Sequence, residues 1–321
     1  MMVADVPTIE AEFAQRTERH RRELHVHCYR MVGNFEEAED LVQETLLRAW
    51  RARERLERDE WFRAWLYKIA TNACLDAIKR DGRRVPSLGS FRDVPWLQPY
   101  PDRLLDEIAP PADEPHATVV SRETIELTFL AVIQVLPPRQ RAVLVLREVL
   151  DWPAGDVADL LEISKAAVNS ALQRARATLR QHLPPDQREE WVAPDELSET
   201  ERELLAGFID THQRGDADGA LALIAEDVRV TMPPLPALYE GRDAIAGLMR
   251  RGFEDSGEWR LVPVMANRQP AAASYLRAPG ETEFRAFKID VLRIRGDRIA
   301  ELTTFGAKLF EAFGLPRVLE V

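Results

Sequence analysis

The chain has 321 residues, 45% of them hydrophobic and 30% charged, and a formal net charge of −11 at pH 7. That length suits two or three domains with at least one sizeable core, and the composition is that of a soluble globular protein. No run approaches a membrane span, and an acidic chain is ill suited to plain nucleic-acid binding, because affinity for DNA comes largely from neutralising phosphates. Any DNA contact therefore needs a local basic surface or a larger complex.

The first residues are polar and carry no apolar signal core. Cys28 and Cys74 sit in apolar helical contexts with no metal-ligand spacing. Buried thiols in a reducing cytoplasm are the expectation, a single bridge the alternative. From about Glu12 to Arg84 the pattern is helical. Gly33–Asn34 marks a turn, with Asn34 placed to cap the next helix and Glu36 and Glu37 favoured in its first turn. In FEEAEDLVQETLLRAW the residues Ala38, Leu41, Val42, Thr45 and Ala49 form one inward stripe. Asp40, Gln43, Glu44 and Leu47 fall on the other side. A leucine among carboxylates is either a stray exposed residue or part of a docking surface.

The block Trp61–Arg84 mixes Trp61, Phe62, Trp65 and Tyr67 with Arg63, Lys68, Lys79, Arg80, Arg83 and Arg84. Aromatics beside cations capture unstacked bases and single-stranded backbone; the plainer reading makes most of the rings core and the bases a solvated face, and it is favoured for Trp65 and the neighbouring Ile69 but not for the basic C-terminal end. Pro86 to about His116 turns to Pro, Gly, Ser and acidic residues and reads as a linker. Its length and its VPWLQPYPD segment suggest that Trp96, Leu97 and Tyr100 dock it onto something. Helical pattern resumes at about Thr118 and breaks at Pro137–Pro138.

Asp151–Leu183 reads as two short helices, the first from about Pro153 to Leu161, with a tight turn at Glu162–Ile163 and Ser164 as N-cap. Val168, Ala171, Leu172, Ala175 and Leu179 share one face of the second helix. Asn169, Ser170, Gln173, Arg174 and Ala177 share the other, with Lys165 and Arg176 at the flanks, and no acidic residue occurs from Ser164 to Leu183. This fits a helix-turn-helix, in which Arg bridges guanine, Asn or Gln bridges adenine, and Lys and Arg hold phosphates. An ordinary hairpin with a solvated basic face is the competing reading.

After a second linker at Pro184–Pro194, residues 198–321 read as an α+β domain. Helices are expected at Glu199–Gln213, Gly219–Ala225 and Asp243–Arg251. A short strand is expected at Val228–Met232, followed by alternating segments Arg260–Asn267, Ala271–Leu276, Glu283–Arg295 and Arg298–Phe305. Gly280 and Gly296–Asp297 sit at hairpin-like turns.

Together these motifs resemble the extracytoplasmic-function (ECF) class of bacterial sigma factors over residues 10–183. AEDLVQETLLRAW resembles the core-polymerase-binding helix, FRAWLYKIATNACLDAIKR the minus-ten-reading segment, and LPPRQRAVLVLREVLDWPAGDVADLLEISKAAVNSALQRARATLR the minus-thirty-five helix-turn-helix domain. Glu162 departs from the family, whose turn usually has Gly there. Residues 198–321 resemble the SnoaL-like cone, most clearly in FIDTHQRGDADGALALIAEDVRVTMPP and YEGRDAIAGLM.

The resemblance implies a multidomain chain of two all-α sigma domains and a C-terminal α+β SnoaL-like cone. Its segments are 10–85 for sigma region 2, 86–117 for a linker, 118–183 for the region 4 helix-turn-helix domain, 184–197 for a second linker and 198–321 for the cone. It implies that Asp40, Gln43, Glu44, Leu47 and Trp50 dock on polymerase. Leu56, Arg58, Asp59 and Glu60 would lie in the loop that takes a flipped-out minus-ten base. Asn72, Lys79, Arg80, Arg83 and Arg84 would support strand separation and phosphate contacts. Lys165, Asn169, Ser170, Gln173, Arg174 and Arg176 would face the minus-thirty-five element.

The partners implied are core RNA polymerase, promoter DNA and the cone itself, acting in cis; no cofactor or metal and no membrane is implied. Met232, Tyr239, Trp259, Phe284 and Phe287 are candidates to line a cone pocket for a small-molecule ligand, with structural core the default for each. Asp210 and His212, near the end of the cone's first helix, are expected at the surface. Two other functions stay open: a ligand-responsive helix-turn-helix regulator that needs no polymerase, and an enzyme using the cone. The docking stripe separates the first of these, since a repressor has no use for it.

Overall fold

The computed structural model describes residues 9–56, 61–83, 85, 90–106, 125–182, 197–255 and 257–319. In chain order the helices are α1 (Ile9–Glu18), α2 (Arg21–Val32), α3 (Phe35–Ala52), α4 (Phe62–Arg80), α5 (Asp102–Asp106), α6 (Leu127–Ile133), α7 (Pro138–Leu144), α8 (Ala154–Leu161), α9 (Lys165–His182), α10 (Glu199–Arg214), α11 (Ala217–Leu223) and α12 (Arg242–Asp255). The strands are β1 (Ile224–Met232), β2 (Leu235–Glu240), β3 (Glu258–Ala266), β4 (Gln269–Arg277), β5 (Phe284–Arg295), β6 (Arg298–Gly306) and β7 (Val318–Leu319). They fall into two compact units. One comprises Met1–Pro86, Leu104–Ser121 and Val132–Leu183; the other Ser87–Arg103, Arg122–Ala131 and Pro184–Val321. The segments 87–103 and 122–131, read from sequence as linker and as the start of the helix-turn-helix domain, thus group with the cone.

In the N-terminal unit each helix start and stop has a local cause. Gly33 ends α2 with φ 72, a left-handed cap that glycine adopts without a Cβ clash, and its N–H bonds to the Tyr29 carbonyl at 2.7 Å. Asn34 then caps α3, its side chain accepting from the Glu37 N–H at 2.9 Å. The stripe Ala38, Leu41, Val42, Thr45 and Ala49 is buried against α2 and α4. Cys28 of α2 and Cys74 of α4 are free, fully buried thiols, and burial together with the neighbouring Cys28 pushes the Cys74 thiol well up.

The second half of this unit opens at Pro138, which starts α7 with its fixed φ and no N–H to lose. A π-helical turn, Val145–Val149, leads to α8 and α9. Arg141 joins the halves. It is 2% exposed and donates to the Met31 carbonyl at the end of α2, to Gln134 Oε1 at 2.5 Å, to the Gln134 carbonyl at 2.9 Å and to the Leu136 carbonyl at 3.3 Å. Burial pulls its guanidinium down to about 9.

The C-terminal unit is built on a sheet in the order β2-β1-β6-β5-β4-β3, with β7 paired to β5. The β1–β6 pair is parallel and the other strand pairs antiparallel. Alternation puts Val230, Leu261, Ala272, Leu292 and Leu302 on one face, where they pack with Phe208 of α10, Leu221 of α11 and Ile245 and Met249 of α12. The sequence reading ran Tyr239–Gly241 straight into a helix; Leu235–Glu240 is instead strand β2, an edge strand with a half-exposed pattern too weak to stand out. The β3–β4 hairpin turns at Asn267–Arg268 with φ 55 and 59. No glycine marks it, so it escaped the turn signals.

That hairpin holds the linker. Tyr100 N–H donates to Asn267 Oδ1 at 2.8 Å, Asn267 N–H donates to the Tyr100 carbonyl at 2.9 Å, and Asn267 Nδ2 donates to the Ile125 carbonyl at 2.5 Å. Arg268 N–H donates to Asp102 Oδ1 at 2.9 Å, and Leu127 N–H to Gln269 Oε1 at 3.4 Å. Upstream, a short 3₁₀ helix at Phe91–Asp93, closed by a Ser90–Asp93 capping box, packs on β1 and β2. Val94, Leu97 and Tyr100 are fully buried or nearly so. The stretch Pro86–His116 is therefore ordered over 90–106; the rest of it, apart from these residues, and the resumption of helix at Thr118 lie outside the described residues.

Candidate nucleic-acid interface

Three surfaces of the N-terminal unit carry the residues singled out from sequence. On α3, Asp40, Gln43 and Leu47 are exposed and Glu44 is half-exposed, spaced i, i+3, i+4, i+7 along one stripe. Leu47 is 51% exposed, one of few large apolar side chains so open among the described residues. Its neighbours are partly engaged: Glu44 takes Arg48 at 2.7 Å, and Arg48 reaches Asp76 of α4 at 3.0 Å. Trp50 does not share this open stripe. Its ring meets Phe13 of α1 edge-on at 5.4 Å, and Arg53 stacks over it at 4.0 Å.

On α4 the mixed aromatic and basic block sorts itself. Phe62, Leu66 and Tyr67 are core, and Trp65 and Ile69 are half-buried. Arg63 is committed inward, on Glu23 at 2.6 Å, with Tyr67 donating to the same carboxylate at 3.1 Å. Burial would raise the Glu23 carboxyl, but hydrogen bonds from His20 and Arg63 outweigh it and hold the group below its usual value. His27 bonds Thr71 at 2.9 Å, and burial pulls its imidazole down to about 3. Asn72, Lys79 and Arg80 are exposed along the outer side, Arg80 beside Asp81 at 3.0 Å. Arg83 is drawn back onto Glu37 and onto Asp81 at 3.3 Å. Leu56 is half-buried just after the 3₁₀ turn Arg53–Arg55. Arg58, Asp59, Glu60 and Arg84 lie outside the described residues.

The helix-turn-helix forms as its periodicity predicts. Pro153 precedes α8, Ser164 caps α9 by accepting from the Ala167 N–H at 3.1 Å, and Val168, Ala171, Leu172, Ala175 and Leu179 are buried. Lys165, Asn169, Ser170, Gln173, Arg174 and Arg176 are all exposed; Arg176 also reaches Glu148 at 2.6 Å. Glu162 occupies the turn at φ 55, ψ 47, the left-handed conformation in which glycine is easiest. An exposed helix face with amides in the middle and cations around them is matched to the major groove of DNA.

In the cone, Met232, Tyr239 and Trp259 pack against the apolar core, and Phe287, 49% exposed, meets Trp259 edge-on at 5.4 Å. Phe284 lies on the opposite face of the sheet, under Arg260 and Arg277, because its strand neighbours alternate with Trp259 and Leu261. It does not share a wall with the other four. Of the two helix-end residues, Asp210 is exposed and pairs with Arg214 at 2.7 Å, as expected. His212 is not at the surface. It is 4% exposed, bonds the Phe208 carbonyl through Nδ1 at 2.8 Å, and is pulled by burial, helped by Lys288, down to about 4. Asp290, fully buried, accepts from Thr304 at 2.6 Å and pairs with Lys288 at 2.9 Å. Sequence reasoning missed this ion pair: it read Glu283–Arg295 as an alternating segment, but alternation alone does not tell that the face carrying Lys288 and Asp290 is the buried one. Among the described residues, no helix is long and apolar enough to cross a membrane, and no group of three or more His, Cys, Asp or Glu is placed to hold a metal.

Three family models match the chain in order. The sigma-70 region 2 family matches residues 17–84, sigma-70 region 4 matches residues 126–179, and the SnoaL-like domain matches residues 205–302. ECF RNA polymerase sigma factor SigG of Mycobacterium tuberculosis is 42% identical over 321 residues, covering 95% of this chain and 84% of that protein. ECF RNA polymerase sigma factor SigW of Bacillus subtilis is 29% identical over 171 residues, 53% of this chain and 88% of that protein. The crystal structure of the M. tuberculosis extracytoplasmic function sigma factor SigJ superposes with a TM-score of 0.59 at 22% identity, covering 95% of this chain and 99% of that one, and so shares its fold.

Proposed function

The chain belongs to the ECF sigma factors, initiation factors that direct RNA polymerase to promoters, and on that premise we propose which of its surfaces do so and how its SnoaL-like cone governs them. The α3 stripe Asp40, Gln43, Glu44 and Leu47 docks on core polymerase, with Trp50 stiffening the end of the helix from behind. The outer side of α4, through Asn72, Lys79 and Arg80, holds the opened minus-ten strand; Arg83 joins it when released from Glu37. The exposed face of α9 reads the minus-thirty-five element. Strand opening draws on binding energy, with no bond made or broken by these helices. A protein of net charge −11 reaches DNA as part of the polymerase complex, in the cytoplasm, where polymerase supplies the remaining phosphate contacts.

The cone acts in cis through the linker. The observation that carries this is the grip of Asn267 on Tyr100 and Ile125 together, one side chain tying both flanks of the inter-domain linker to one turn. A buried amide with both ends satisfied is costly to strip, at about 1–3 kcal/mol for each group left unpaired. The cone therefore fixes how much chain separates the two promoter readers. A ligand changes activity only if it binds the gripped and released forms with different affinity. The test is run-off transcription with core polymerase, comparing the full chain, a chain ending at residue 197, and Asn267→Ala. A change of about threefold or more in promoter choice, polymerase affinity or output is expected from both alterations. If all three quantities stay put, control in cis is wrong while the sigma activity stands.

A further inference from the structure

The helix-covered face of the cone sheet carries a polar patch that its apolar core does not use. Strand register fixes which side chains share that face. Ser274 of β4 stands opposite Lys288 of β5, and Lys288 opposite Gly306 of β6. On the next rung Ala272 stands opposite Asp290, and Asp290 opposite Thr304. Ala272, Leu292 and Leu302 pack on this side against α10, α11 and α12, so the polar side chains of these rungs point the same way. A bulge leaves Phe287 as the extra residue between the pairs Ser274–Lys288 and Tyr275–Ala286, and its ring turns to this side to meet Trp259. Burial grades along β6: Leu302 is buried, Thr304 half-buried and Gly306 exposed. A methyl group on Gly306 would meet nothing within 4 Å. The face is therefore closed at Leu302 and open to solvent at Gly306 and Phe287.

The polar groups here are mostly donors. Asp290 is already satisfied, with Thr304 donating to Oδ1 at 2.6 Å and Lys288 Nζ at 2.9 Å from Oδ2. Two donors are left over. Among the described residues, neither the fully buried Ser274 hydroxyl nor the buried Trp259 Nε1–H has a hydrogen-bond partner. The Lys288 ammonium, which has N–H groups beyond the one facing Asp290, lies 5.6 Å from the centre of the Trp259 ring. Three donors thus gather at one end of the sheet, and a buried donor left unpaired costs free energy that an acceptor would recover.

Charge selects the acceptor. Lys288 and Asp290 cancel. His212, close enough to feel both, is kept neutral, since burial draws its imidazole down to about 4. A carboxylate or phosphate entering here would leave the patch net negative and surrender its own hydration. A carbonyl oxygen accepts the same hydrogen bonds and brings no charge. The rings of Trp259 and Phe287 beside it suit a flat apolar body.

We propose that this end of the cone binds a small, uncharged, flat apolar molecule through a carbonyl oxygen, which accepts from Ser274, Trp259 and Lys288. The proposal names the class of ligand for the ligand-dependent control described above, and its regulatory consequence rests on that reading. The binding itself is measured without polymerase.

The experiment is equilibrium dialysis of the full chain against three probes sharing one ring system. 2-Acetonaphthone carries the carbonyl, 2-ethylnaphthalene carries no oxygen, and 2-naphthoate carries a charge. The ketone should bind saturably, about tenfold tighter than either of the others. Ser274→Ala and Trp259→Phe each remove one donor that has no partner in the free protein, so both should fold, which a melting curve checks. Each should weaken the ketone about threefold to tenfold and leave the hydrocarbon within about twofold. Lack of saturable ketone binding up to about 1 mM, equal binding of ketone and hydrocarbon, or tightest binding by the naphthoate overturns the proposal. So does a ketone preference that survives both substitutions, which would put the site elsewhere. If the ketone binds as expected while deleting the cone leaves transcription untouched, the site stands and control in cis alone falls.

Discussion

In the docking proposed above, Leu47 is the residue on which capture of polymerase should turn. Half-open among Asp40, Gln43 and Glu44, it leaves about half of its apolar surface to solvent and makes sense as an anchor that a partner pocket desolvates. Leu47→Glu should weaken capture by core polymerase tenfold or more, about 1.4 kcal/mol, while thermal stability changes by only a few degrees, since about half of the residue is already in water in the free protein. Capture on immobilised core enzyme, beside a melting curve, measures both. At this scale the sequence was legible where the cause was local. Asn34 and Ser164 cap helices because hydroxyl and amide oxygens reach the first free N–H groups, and both bonds form. It was not legible where the cause was distant. Nothing in LPPRQRAVL tells that Arg141 will be buried on a carbonyl of another helix, or in FIDTHQR that His212 will turn inward.

Elements followed from periodicity. The five buried positions of α9 are those its 3.6-residue spacing selects, which leaves Asn169, Ser170, Gln173 and Arg174 outward by subtraction. Those side chains and the flanking cations should separate on substitution. Asn169→Ala or Gln173→Ala should cost about 1–3 kcal/mol on a matched minus-thirty-five element and little on a mismatched one, relaxing discrimination. Lys165→Ala should instead weaken all promoters alike and lower the salt slope by about one. Holoenzyme binding to matched and altered elements at several salt concentrations distinguishes the two patterns. Equal losses on both elements for Gln173→Ala would remove it from base readout. The strands were harder. β2 has a half-exposed edge pattern with no clean alternation, and the β3–β4 turn uses Asn267–Arg268 where glycine would have announced it.

For the whole molecule, three family motifs in order on one chain made the sigma assignment and the fold class readable, since each motif alone is easily mimicked. Domain boundaries were less readable. VPWLQPYPD lacks periodicity because its order comes from the hairpin it lies on, and composition cannot report a surface elsewhere in the chain. The same holds for the contact of Lys68 with Glu162: both are unremarkable surface charges until the tertiary structure brings them together.

The hold of one asparagine on Tyr100 and Ile125 makes the intervening chain a side branch. Distance between the two promoter readers is measured through residues 86–102 and 125–132, and the chain from 103 to 124 is bypassed. Ten extra residues of Gly and Ser inserted at 112 should therefore leave promoter spacing preference unchanged, whereas the same insert at 88 adds about 17 Å of average reach and should broaden it. Asn267→Ala, which removes the side-chain ties and leaves the backbone bond to Tyr100 and the bonds of Asp102 and Leu127, should narrow the difference between the two insertions, so the protein would carry, in a single turn, the setting for how far apart its two DNA sites can be.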